Sequence, residues 1–463
     1  MTGAVAAATA LGSSGSASAA AAAAGPAASA GPCTYSRDDV GAPDLQAALD
    51  EVPAGGELVI TRPWVLSVPL EVASPATLRF TGEGQLSTDA DISVIRITAS
   101  GVAVVDAVVR GRGGGSSGAG RGVDVVGTPA RPLDDVRIVG GRLGGLSHDG
   151  VRAAHVSGLV VQSVAVEDVG YAGVLLLSCT DGAVRGCTVS GVRQPSPFVN
   201  SYGIIATRDD TLPLSTTPRS SRLCIEQNTV TDVPLWEGID THAGEDVVVR
   251  DNTVRDCRVG IAVVPCRDET TRAYAHAPLD VVVSGNVIER TSLHTSGAGI
   301  VLKGAGTTVG DVGERASGFV TGNTVRGHGG GASEAGIVLY LTRHVVLSDN
   351  ALEGCVDRGV LLYHSNDAAT VTRTRVTDLV STTAGGAVSA VEIRSASNTA
   401  TISATRVERT GGEGDAGRAT GPLRGVSVAN AGNSVDLLAN DWSQTDLAVW
   451  NKGATVRRWA DGA

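Results

Sequence analysis

The chain has 463 residues and a formal net charge of −11, and 18% of its residues are charged while only 3% are aromatic. A hydrophobic content of 42% is enough to build a core and excludes a disordered chain. The 61 glycines follow no three-residue period, which excludes collagen. The acidic balance and the lack of a basic run argue against nucleic-acid binding. After Ala30, no apolar stretch is long enough to span a membrane.

The segment from Met1 to Ala30 differs from the rest of the chain. It contains no charged side chain and consists mostly of Ala, Gly and Ser. It ends in Ala28-Ser29-Ala30, a small-residue pattern typical of signal-peptidase cleavage, although the basic residues that usually open a signal are missing. We therefore expect residues 1–30 to be a leader and the protein to be exported. A low-complexity Ala-rich tail is the alternative.

Seven cysteines give an odd count, and none of them forms a Cys-x-x-Cys pair. This spacing disfavours a zinc site and a thioredoxin-like motif. An exported protein allows disulfides with at least one thiol left over, and Cys257 with Cys266 is the pair that would close a loop. Buried cysteines that act as small apolar side chains are the other expectation.

Internal repetition is the strongest signal in the sequence. A Gly followed by Val or Ile recurs at Gly122, Gly150, Gly173, Gly203, Gly238, Gly260, Gly299, Gly336, Gly359 and Gly425. Between these positions an Asn-x-Val/Ile/Leu element recurs at Asn228, Asn252, Asn286, Asn323 and Asn350. The shorter steps between successive glycines, such as Gly238 to Gly260, fit one structural turn. Longer steps, such as Gly260 to Gly299, fit one turn with an inserted loop.

Each repeat has the pattern of one short strand. The first residue after each Gly is Val or Ile, and the third is mostly apolar, so both point inward from a strand with a period of two. One such strand cannot bury its apolar face alone, so successive units must stack. No helices separate the strands, which excludes βαβ units. The sequence predicts an all-β parallel β-helix (solenoid) with three short strands per turn, stacked about 4.8 Å apart, and an inward ladder of Asn side chains.

The chain opens with a predicted short amphipathic helix over residues 44–52, which we expect to cap the end of the solenoid. Together with the Gly-Ile/Val and Asn-x-Val repeats, this opening resembles the right-handed parallel β-helix superfamily of pectate-lyase-like proteins over most of residues 35–450. We therefore expect the cap and first strands in residues 31–100, the β-helix in 101–450 and a tail in 451–463. The resemblance implies a polysaccharide lyase, glycoside hydrolase, uronate epimerase or phage tailspike.

Polar residues gather on one outward face of the predicted coil. Positions two and four after each Gly face outward, and the fourth position places His242, Lys303, Tyr340 and Tyr363 in one row. Asp240 precedes His242 by one pleat, roughly 6.6 Å along the strand. The row is about as long as a bound sugar trimer or tetramer, with rungs about 4.8 Å apart. We predict that it is the functional groove.

Long insertions fall on the same middle turns and are expected to wall this groove: residues 209–221, 266–278 and 304–318. By contrast, His148-Asp149 and His364 lie next to turns and are interpreted as surface residues.

The run from Trp236 to His242 resembles the Tyr-Gly-Phe-Asp-Pro-His motif of mannuronan C5-epimerases, which are β-helix enzymes. Asp240 and His242 match the Asp and His of that motif. Glu237 stands where the family has Tyr, and Thr241 replaces Pro. The resemblance implies a catalytic site at this strand.

Uronate lyases and epimerases both remove the C5 proton of a uronate sugar, so they need a base and a group that neutralises the carboxylate. We predict that Lys303 or Arg208 binds the carboxylate, and that His242 or Tyr340, with a depressed pKa next to Lys303, is the base. Asp240 would orient His242 or bind Ca²⁺. No compact acidic cluster demands calcium, so we assign no metal ligand and expect no required cofactor, with calcium allowed.

A glycoside hydrolase is the rival interpretation, because hydrolysis needs two carboxyl groups about 5–9.5 Å apart. Its candidate carboxyl groups are Glu237, Asp240, Asp209 and Asp210. Trp236, Tyr202 and Tyr363 are the predicted substrate-binding aromatics, and Arg208 belongs to the same predicted binding set. A third alternative is a non-catalytic glycan-binding or structural β-helix. The expected partner is a polysaccharide or oligosaccharide, and the oligomeric state stays open.

Overall fold

The computed structural model describes residues 35–113, 118–291, 296–410 and 421–459. The leader predicted for residues 1–30 and Cys33 lie outside the described residues. Among the described residues, no helix has the length and apolar character that a membrane crossing requires.

The chain winds into a coil whose wall consists of three stacks of parallel strands, as the repeats predict. The first stack, sheet 1, is a 16-stranded parallel sheet. Its strands are Ser36–Asp38, Gly56–Ile60, Ala76–Phe80, Ala103–Val105, Arg137–Val139, Val160–Gln162, Ala183–Arg185, Ser221–Glu226, Glu245–Arg250, Val281–Ser284, Gly318–Thr321, Val346–Ser348, Ala369–Thr372, Thr399–Ser403, Ser434–Leu438 and Thr455–Trp459.

Sheets 2 and 3 share two long strands, Thr229–His242 and Thr253–Val264, which bend from one sheet into the other. The other strands of sheet 2 are Pro63–Val65, Gln85–Ser87, Val108–Arg110, Arg142–Leu146, Ala165–Val169, Thr188–Ser190, Val287–Glu289, Thr324–Arg326, Ala351–Glu353, Arg375–Thr377 and Arg406–Glu408. The other strands of sheet 3 are Leu70–Val72, Ser93–Ile97, Arg121–Val126, Asp149–Ala154, Ala172–Leu177, Tyr202–Thr207, Ile300–Lys303, Ile337–Tyr340, Arg358–Leu362, Val388–Ile393, Leu423–Val428 and Leu447–Asn451.

Two small pairings lie outside the three stacks. Leu133–Asp134 pairs in parallel with Val156–Ser157, and Cys266–Arg267 forms an antiparallel hairpin with Tyr274–His276. One short helix, α1, spans Leu45–Asp50 within the range predicted for the cap. Its role as a cap of the coil stays a prediction.

The repeated glycines lie where the chain bends into sheet 3, and each lies against the next coil. A Cβ atom added to Gly203 would meet the carbonyl oxygen of Gly238 at 2.4 Å, and one on Gly173 would meet that of Gly203 at 2.5 Å. Both distances are too short for real atoms, so only Gly fits this column. The first residue after each Gly is fully buried, as predicted: Val123, Val151, Val174, Ile204, Ile239, Ile261, Ile300, Ile337, Val360 and Val426.

The predicted Asn ladder is confirmed. The Asn228 side-chain nitrogen donates to the Asn252 side-chain oxygen at 3.0 Å, and Asn252 donates in the same way to Asn286 at 2.9 Å. Asn286 continues to Asn323 at 2.9 Å, and Asn323 to Asn350 at 3.0 Å. Each amide also bonds the backbone, so these buried polar groups are saturated. A second ladder of Asn366, Asn398 and Asn433 was not predicted.

The predicted disulfide between Cys257 and Cys266 is wrong, because both thiols are free. Every cysteine of the described residues is free, and all but Cys224 are buried. Burial raises the pKa of the Cys257 thiol to about 12. These cysteines act as small apolar side chains, which was the other expectation.

Replacing Asn286 by Ala should destabilise the coil, because the change leaves several buried amide and carbonyl groups of neighbouring coils without partners. At roughly 1–3 kcal/mol per unpaired buried group, we expect a loss of several kcal/mol, measured as a lower thermal midpoint. Asn451→Ala is the control, since Asn451 is exposed and bonds only the backbone of Ala454. Equal losses for the two variants would contradict a structural role for the ladder.

Candidate active site

A cavity of about 760 Å³ lies over the outer face of sheet 3. Its walls come from six successive coils, from His148 at one end to Lys303 at the other. Two of the predicted insertions contribute to it: residues 209–221 supply Asp209 and Asp210, and residues 266–278 supply Arg267 and Tyr274. The cavity is therefore on the face where the sequence placed a groove.

The predicted outward row is present. His242 pairs with Val264, whose neighbour Val263 pairs with Leu302, and Lys303 pairs directly with Tyr340. The rings of Tyr340 and Tyr363 stack with their centroids 5.0 Å apart. His242 and Lys303 line the cavity, whereas the two tyrosines continue the row beyond it. The alignment is as predicted, and the functional roles stay predictions.

Not all outward positions of sheet 3 are exposed. Leu175 and Ile205 pack with Ala172 and Tyr202 in a cluster separate from the core inside the coil. A second outer cluster contains Val338 and Leu361. Position two after each Gly therefore points out of the coil, as predicted, but is not always exposed to solvent. These side chains leave the coil but are covered by neighbours, so polar groups among them have an apolar environment.

Three polar side chains of one strand form a compact group, which we call the acid–histidine cluster: Glu237, Asp240 and His242. One ligand atom from each lies within 4.8 Å of the others. The His242 Nε2 atom is 3.0 Å from the Asp240 Oδ2 atom. Glu237 is 7% exposed and Asp240 only 1%, and Asp240 lies behind His242 rather than on the cavity wall.

Burial controls the pKa values in this cluster. Burial and the neighbouring Asp240 carboxylate hold the pKa of Glu237 well above its usual range. Burial also raises the pKa of Asp240, although His242 opposes this change. Burial alone would lower the pKa of His242, but the Asp240 carboxylate outweighs it and raises that pKa to about 9. The prediction of a depressed His242 pKa is therefore wrong in sign.

Tyr340 does not fit the predicted role of a base either. Burial and the neighbouring Tyr363 raise the pKa of its phenol. Its hydroxyl donates a hydrogen bond to the Thr307 carbonyl oxygen at 2.7 Å. Tyr340 therefore ties the loop that follows Lys303 to the sheet.

Lys303 has the environment of a base. Burial lowers the pKa of its ammonium group, and the only opposing influence comes from Tyr274. Its Nζ atom lies 4.9 Å from the ring centroid of Tyr274 and 5.1 Å from that of Tyr340. No carboxylate of the described residues forms an ion pair with it. Depression of a lysine pKa by burial is a known route to a neutral, reactive amine.

Arg208 was predicted to bind substrate; it lines the cavity, and that role stays a prediction, although its guanidinium group is held by the protein. It is 3% exposed, and its guanidinium group donates to the carbonyl oxygens of Thr217 at 2.8 Å and Arg267 at 3.3 Å. A further bond goes to the Leu212 carbonyl oxygen. Arg208 therefore fastens the two loops that wall the cavity.

Tyr202 was predicted to stack on a sugar ring, but it is only 3% exposed. Its ring lies between Tyr171, at 5.4 Å, and His242, at 6.1 Å, and forms the floor of the cavity. Trp236 is half-buried and lines the cavity, so its predicted contact with substrate stays open.

Asp209 and Asp210 both line the cavity, as the hydrolase interpretation requires. Asp209 accepts a hydrogen bond from the Thr211 backbone at 2.9 Å, and Asp210 forms an ion pair with Arg272 at 3.0 Å. Each therefore already has a structural partner within its loop or hairpin.

Sequence reasoning missed one end of the cavity. His148 and Asp149 were interpreted as surface residues, but His148 lines the cavity and Asp149 is fully buried. The His148 Nδ1 atom is 2.8 Å from Asp149, which also pairs with Arg121 at 3.0 Å. The signal was available, because His148, Tyr171 and Trp236 each lie two residues before a repeat Gly.

His364 was also interpreted as a surface residue, which is wrong. It is 2% exposed, and its ring lies 4.2 Å from that of Tyr340.

Replacing Arg208 by Met should loosen the cavity wall, because several loop carbonyl groups lose their donor. We expect a loss of roughly 2–3 kcal/mol, and faster cleavage within residues 209–221 in limited proteolysis. Arg272→Met is the control, since it removes the exposed ion pair with Asp210 and a single hydrogen bond to the Asp210 carbonyl oxygen. Unchanged proteolysis in Arg208→Met would contradict the fastening role.

Comparisons with known proteins agree with this architecture. Residues 133–309 match a family model described as a right-handed β-helix region. A comparison with curated protein sequences found no match. A tailspike mutant of E. coli bacteriophage HK620, in complex with a pentasaccharide, is similar with a TM-score of 0.54 and 14% identity over 88% of this chain and 74% of that chain.

Two further solved structures are more distant. The Dettilon tailspike protein gives a TM-score of 0.45 at 14% identity over 82% of this chain, which spans only 64% of that protein. An alginate lyase from Paenibacillus gives a TM-score of 0.41 at 16% identity over 72% of this chain and 92% of that one. Identities this low show the fold alone. The coil of parallel strands, the family match and the likeness to the HK620 tailspike together show the fold of this chain. It is that of the right-handed parallel β-helix superfamily.

Proposed function

We propose that the protein is a polysaccharide-processing enzyme that removes the C5 proton of a uronate sugar, by β-elimination or by C5 epimerisation. The observation that carries the proposal is the placement of Lys303 and His242 in one row of the same cavity. They lie two coils apart, at roughly 10 Å given rungs of about 4.8 Å. A sugar residue bound between them would meet a base on one side and the acid–histidine cluster on the other.

Lys303 is the base in this proposal. Its neutral amine takes the C5 proton, and the electron pair of the C5–H bond moves toward the carboxylate. In elimination that pair then forms a C4–C5 double bond as the C4–O bond to the next sugar breaks, and the departing oxygen takes a proton from water. In epimerisation water delivers a proton to C5 from the opposite face.

The acid–histidine cluster is placed to hold the carboxylate of the same sugar. Proton removal next to a carboxylate needs that negative charge to be neutralised. Glu237 and Asp240 are acidic side chains. Of the three members of the cluster, His242 is therefore the one that supplies positive charge to an anionic substrate.

The fold likeness supports the substrate class. The HK620 tailspike structure contains a pentasaccharide. The long cavity over parallel coils here, with Trp236 and Tyr274 on its walls, is suited to an extended oligosaccharide. Export to the polymer, through the leader predicted for residues 1–30, is part of the same proposal.

Glycoside hydrolysis is the second candidate, and one observation favours it. The Glu237 and Asp240 ligand atoms lie within 4.8 Å of each other, close to the about 5–5.5 Å between carboxyl groups of retaining glycosidases. However, Asp240 lies behind His242 and does not line the cavity. The second carboxyl group would then have to come from Asp209 or Asp210.

Lys303→Met should strongly reduce the activity with little change in stability, because it removes the base but keeps an apolar stem. We expect a fall of about 10²–10⁴-fold in kcat on the uronate polymer that is the substrate. The readouts are ultraviolet absorbance of the unsaturated product and exchange of the C5 proton in deuterated water. Lys452→Met is the matched control, since these are the two lysines of the chain.

Full activity in Lys303→Met would overturn the assignment of the base. A different pair of results would favour hydrolysis over the proposed reaction. In that case no uronate polymer gives a product, and neutral glycans give new reducing ends.

The pH profile should report Lys303. The amine must be neutral to accept a proton, so kcat/KM rises with pH through the Lys303 pKa. Burial lowers that pKa, so the rise should lie below the range of an ordinary lysine, about 10.4. The groups that face its Nζ atom are Tyr274 and Tyr340. The residual activity of Lys303→Met should lack this rise, and an unchanged profile would contradict the assignment.

A further inference from the structure

The acid–histidine cluster contains buried carboxyl oxygens that are poorly supplied with hydrogen-bond donors. Glu237 Oε2 and both carboxyl oxygens of Asp240 are inaccessible and accept no hydrogen bond of good geometry from the described residues. The positive group beside them is His242, whose Nε2 atom is 3.0 Å from Asp240. Burying a carboxyl group without hydrogen-bond donors costs roughly 1–3 kcal/mol, and more when the group is charged.

Two other buried carboxylates of this face each have an arginine partner, although Asp149 Oδ1 also accepts no hydrogen bond from the described residues. Asp149 is fully buried and pairs with Arg121 at 3.0 Å. Asp124 is 6% exposed, pairs with Arg152 at 2.8 Å and accepts a hydrogen bond from Ser93 at 3.0 Å. Each of these carboxylates has an arginine.

Glu237 and Asp240 have no arginine within ion-pair distance among the described residues. The same fold thus provides an arginine for two other buried acids on this face. Asp240 has only the His242 imidazole at 3.0 Å, and Glu237 has no ion-pair partner among the described residues.

The donor set fits a metal ion. Ligand atoms around a tetrahedral zinc ion lie about 3.3 Å apart, given bonds of about 2.0–2.2 Å to imidazole nitrogen and carboxylate oxygen. The His242–Asp240 separation of 3.0 Å is already close to this value, and Glu237 lies within 4.8 Å. An approach of up to about 1.5 Å by the Glu237 side chain, together with small rotations of the other two, would bring the three atoms around one ion.

The same donor set does not fit calcium, which was allowed from the sequence. Calcium takes about 6–8 oxygen ligands, whereas this cluster offers two carboxylates and an imidazole. Imidazole with carboxylate is the ligand combination of zinc and its first-row neighbours.

We infer that Glu237, Asp240 and His242 form a binding site for a divalent first-row transition-metal ion. Glu237 and His242 line the cavity, so the ion has an entry path. In the proposed function the ion would neutralise the uronate carboxylate, and this last role alone rests on that proposal. Metal binding itself does not.

The test uses the full chain, freed of metal by a chelator and dialysis. Zn²⁺ binding is measured by calorimetry, and Co²⁺ binding by its visible absorption. We expect one ion per chain. His242→Gln and Glu237→Gln should each weaken binding by more than tenfold, since even loss of an outer partner of a ligand costs roughly 10–100-fold. Melting temperatures without metal show that both variants are folded.

His276→Gln is the matched control. His276 forms the other group of possible ligands with Asp268 and Glu269, in the hairpin loop. There Asp268 already accepts hydrogen bonds from the Thr270 and Thr271 backbones, at 3.0 and 2.7 Å. We expect Zn²⁺ affinity to be unchanged in this variant.

Two outcomes would overturn the inference: no stoichiometric Zn²⁺ or Co²⁺ binding by the wild-type chain, or binding that follows His276 instead of His242 and Glu237. The enzyme assay separates this failure from that of the proposed function. Lyase activity that survives chelation without any metal binding overturns the metal site alone. One bound ion that depends on His242 and Glu237, without activity on any uronate polymer, overturns the proposed function alone.

Discussion

The close approach of backbone to backbone at the glycine column is the constraint on which the structure depends. Each repeat Gly lies so near the next coil that a Cβ atom there would overlap a carbonyl oxygen, as Gly203 and Gly238 show at 2.4 Å. This contact fixes the register of successive coils, even where they are separated by loops of very different length. Residues at one offset from their glycines therefore lie in one column, which is how His242 and Lys303 meet the same cavity.

The cavity combines this register with an apolar outer layer. Parallel β-helices are polar outside wherever the outer face meets water, but sheet 3 carries covered clusters around Ile205 and Val338. Loops that Arg208 fastens close over the same region. The resulting low polarity lowers the pKa of Lys303 and raises that of Glu237, because burial disfavours the charged form of each.

The sequence alone was enough to predict the structural features that the repeat period controls. The three-strand coil, the inward Val and Ile, the Asn ladder and the row from His242 to Tyr363 all follow from a fixed offset to Gly. Exposure could not be predicted in this way, because it depends on which loop covers which column. The burial of Arg208 and Tyr202 and the position of His148 on the cavity wall were missed for that reason. A repeat pattern gives the direction of a side chain, while the inserted loops decide whether water reaches it.

Burial also links the two halves of the proposed site. The amine of Lys303 can lose its charge by releasing a proton, so its low-polarity environment makes it a better base. The same layer encloses carboxyl oxygens of Glu237 and Asp240 that accept no hydrogen bond of good geometry from the described residues. A cation that binds all three side chains would supply the missing partner and present positive charge to the cavity. The buried, apolar environment that lowers the pKa of Lys303 is thus the same one that favours metal binding by the acid–histidine cluster.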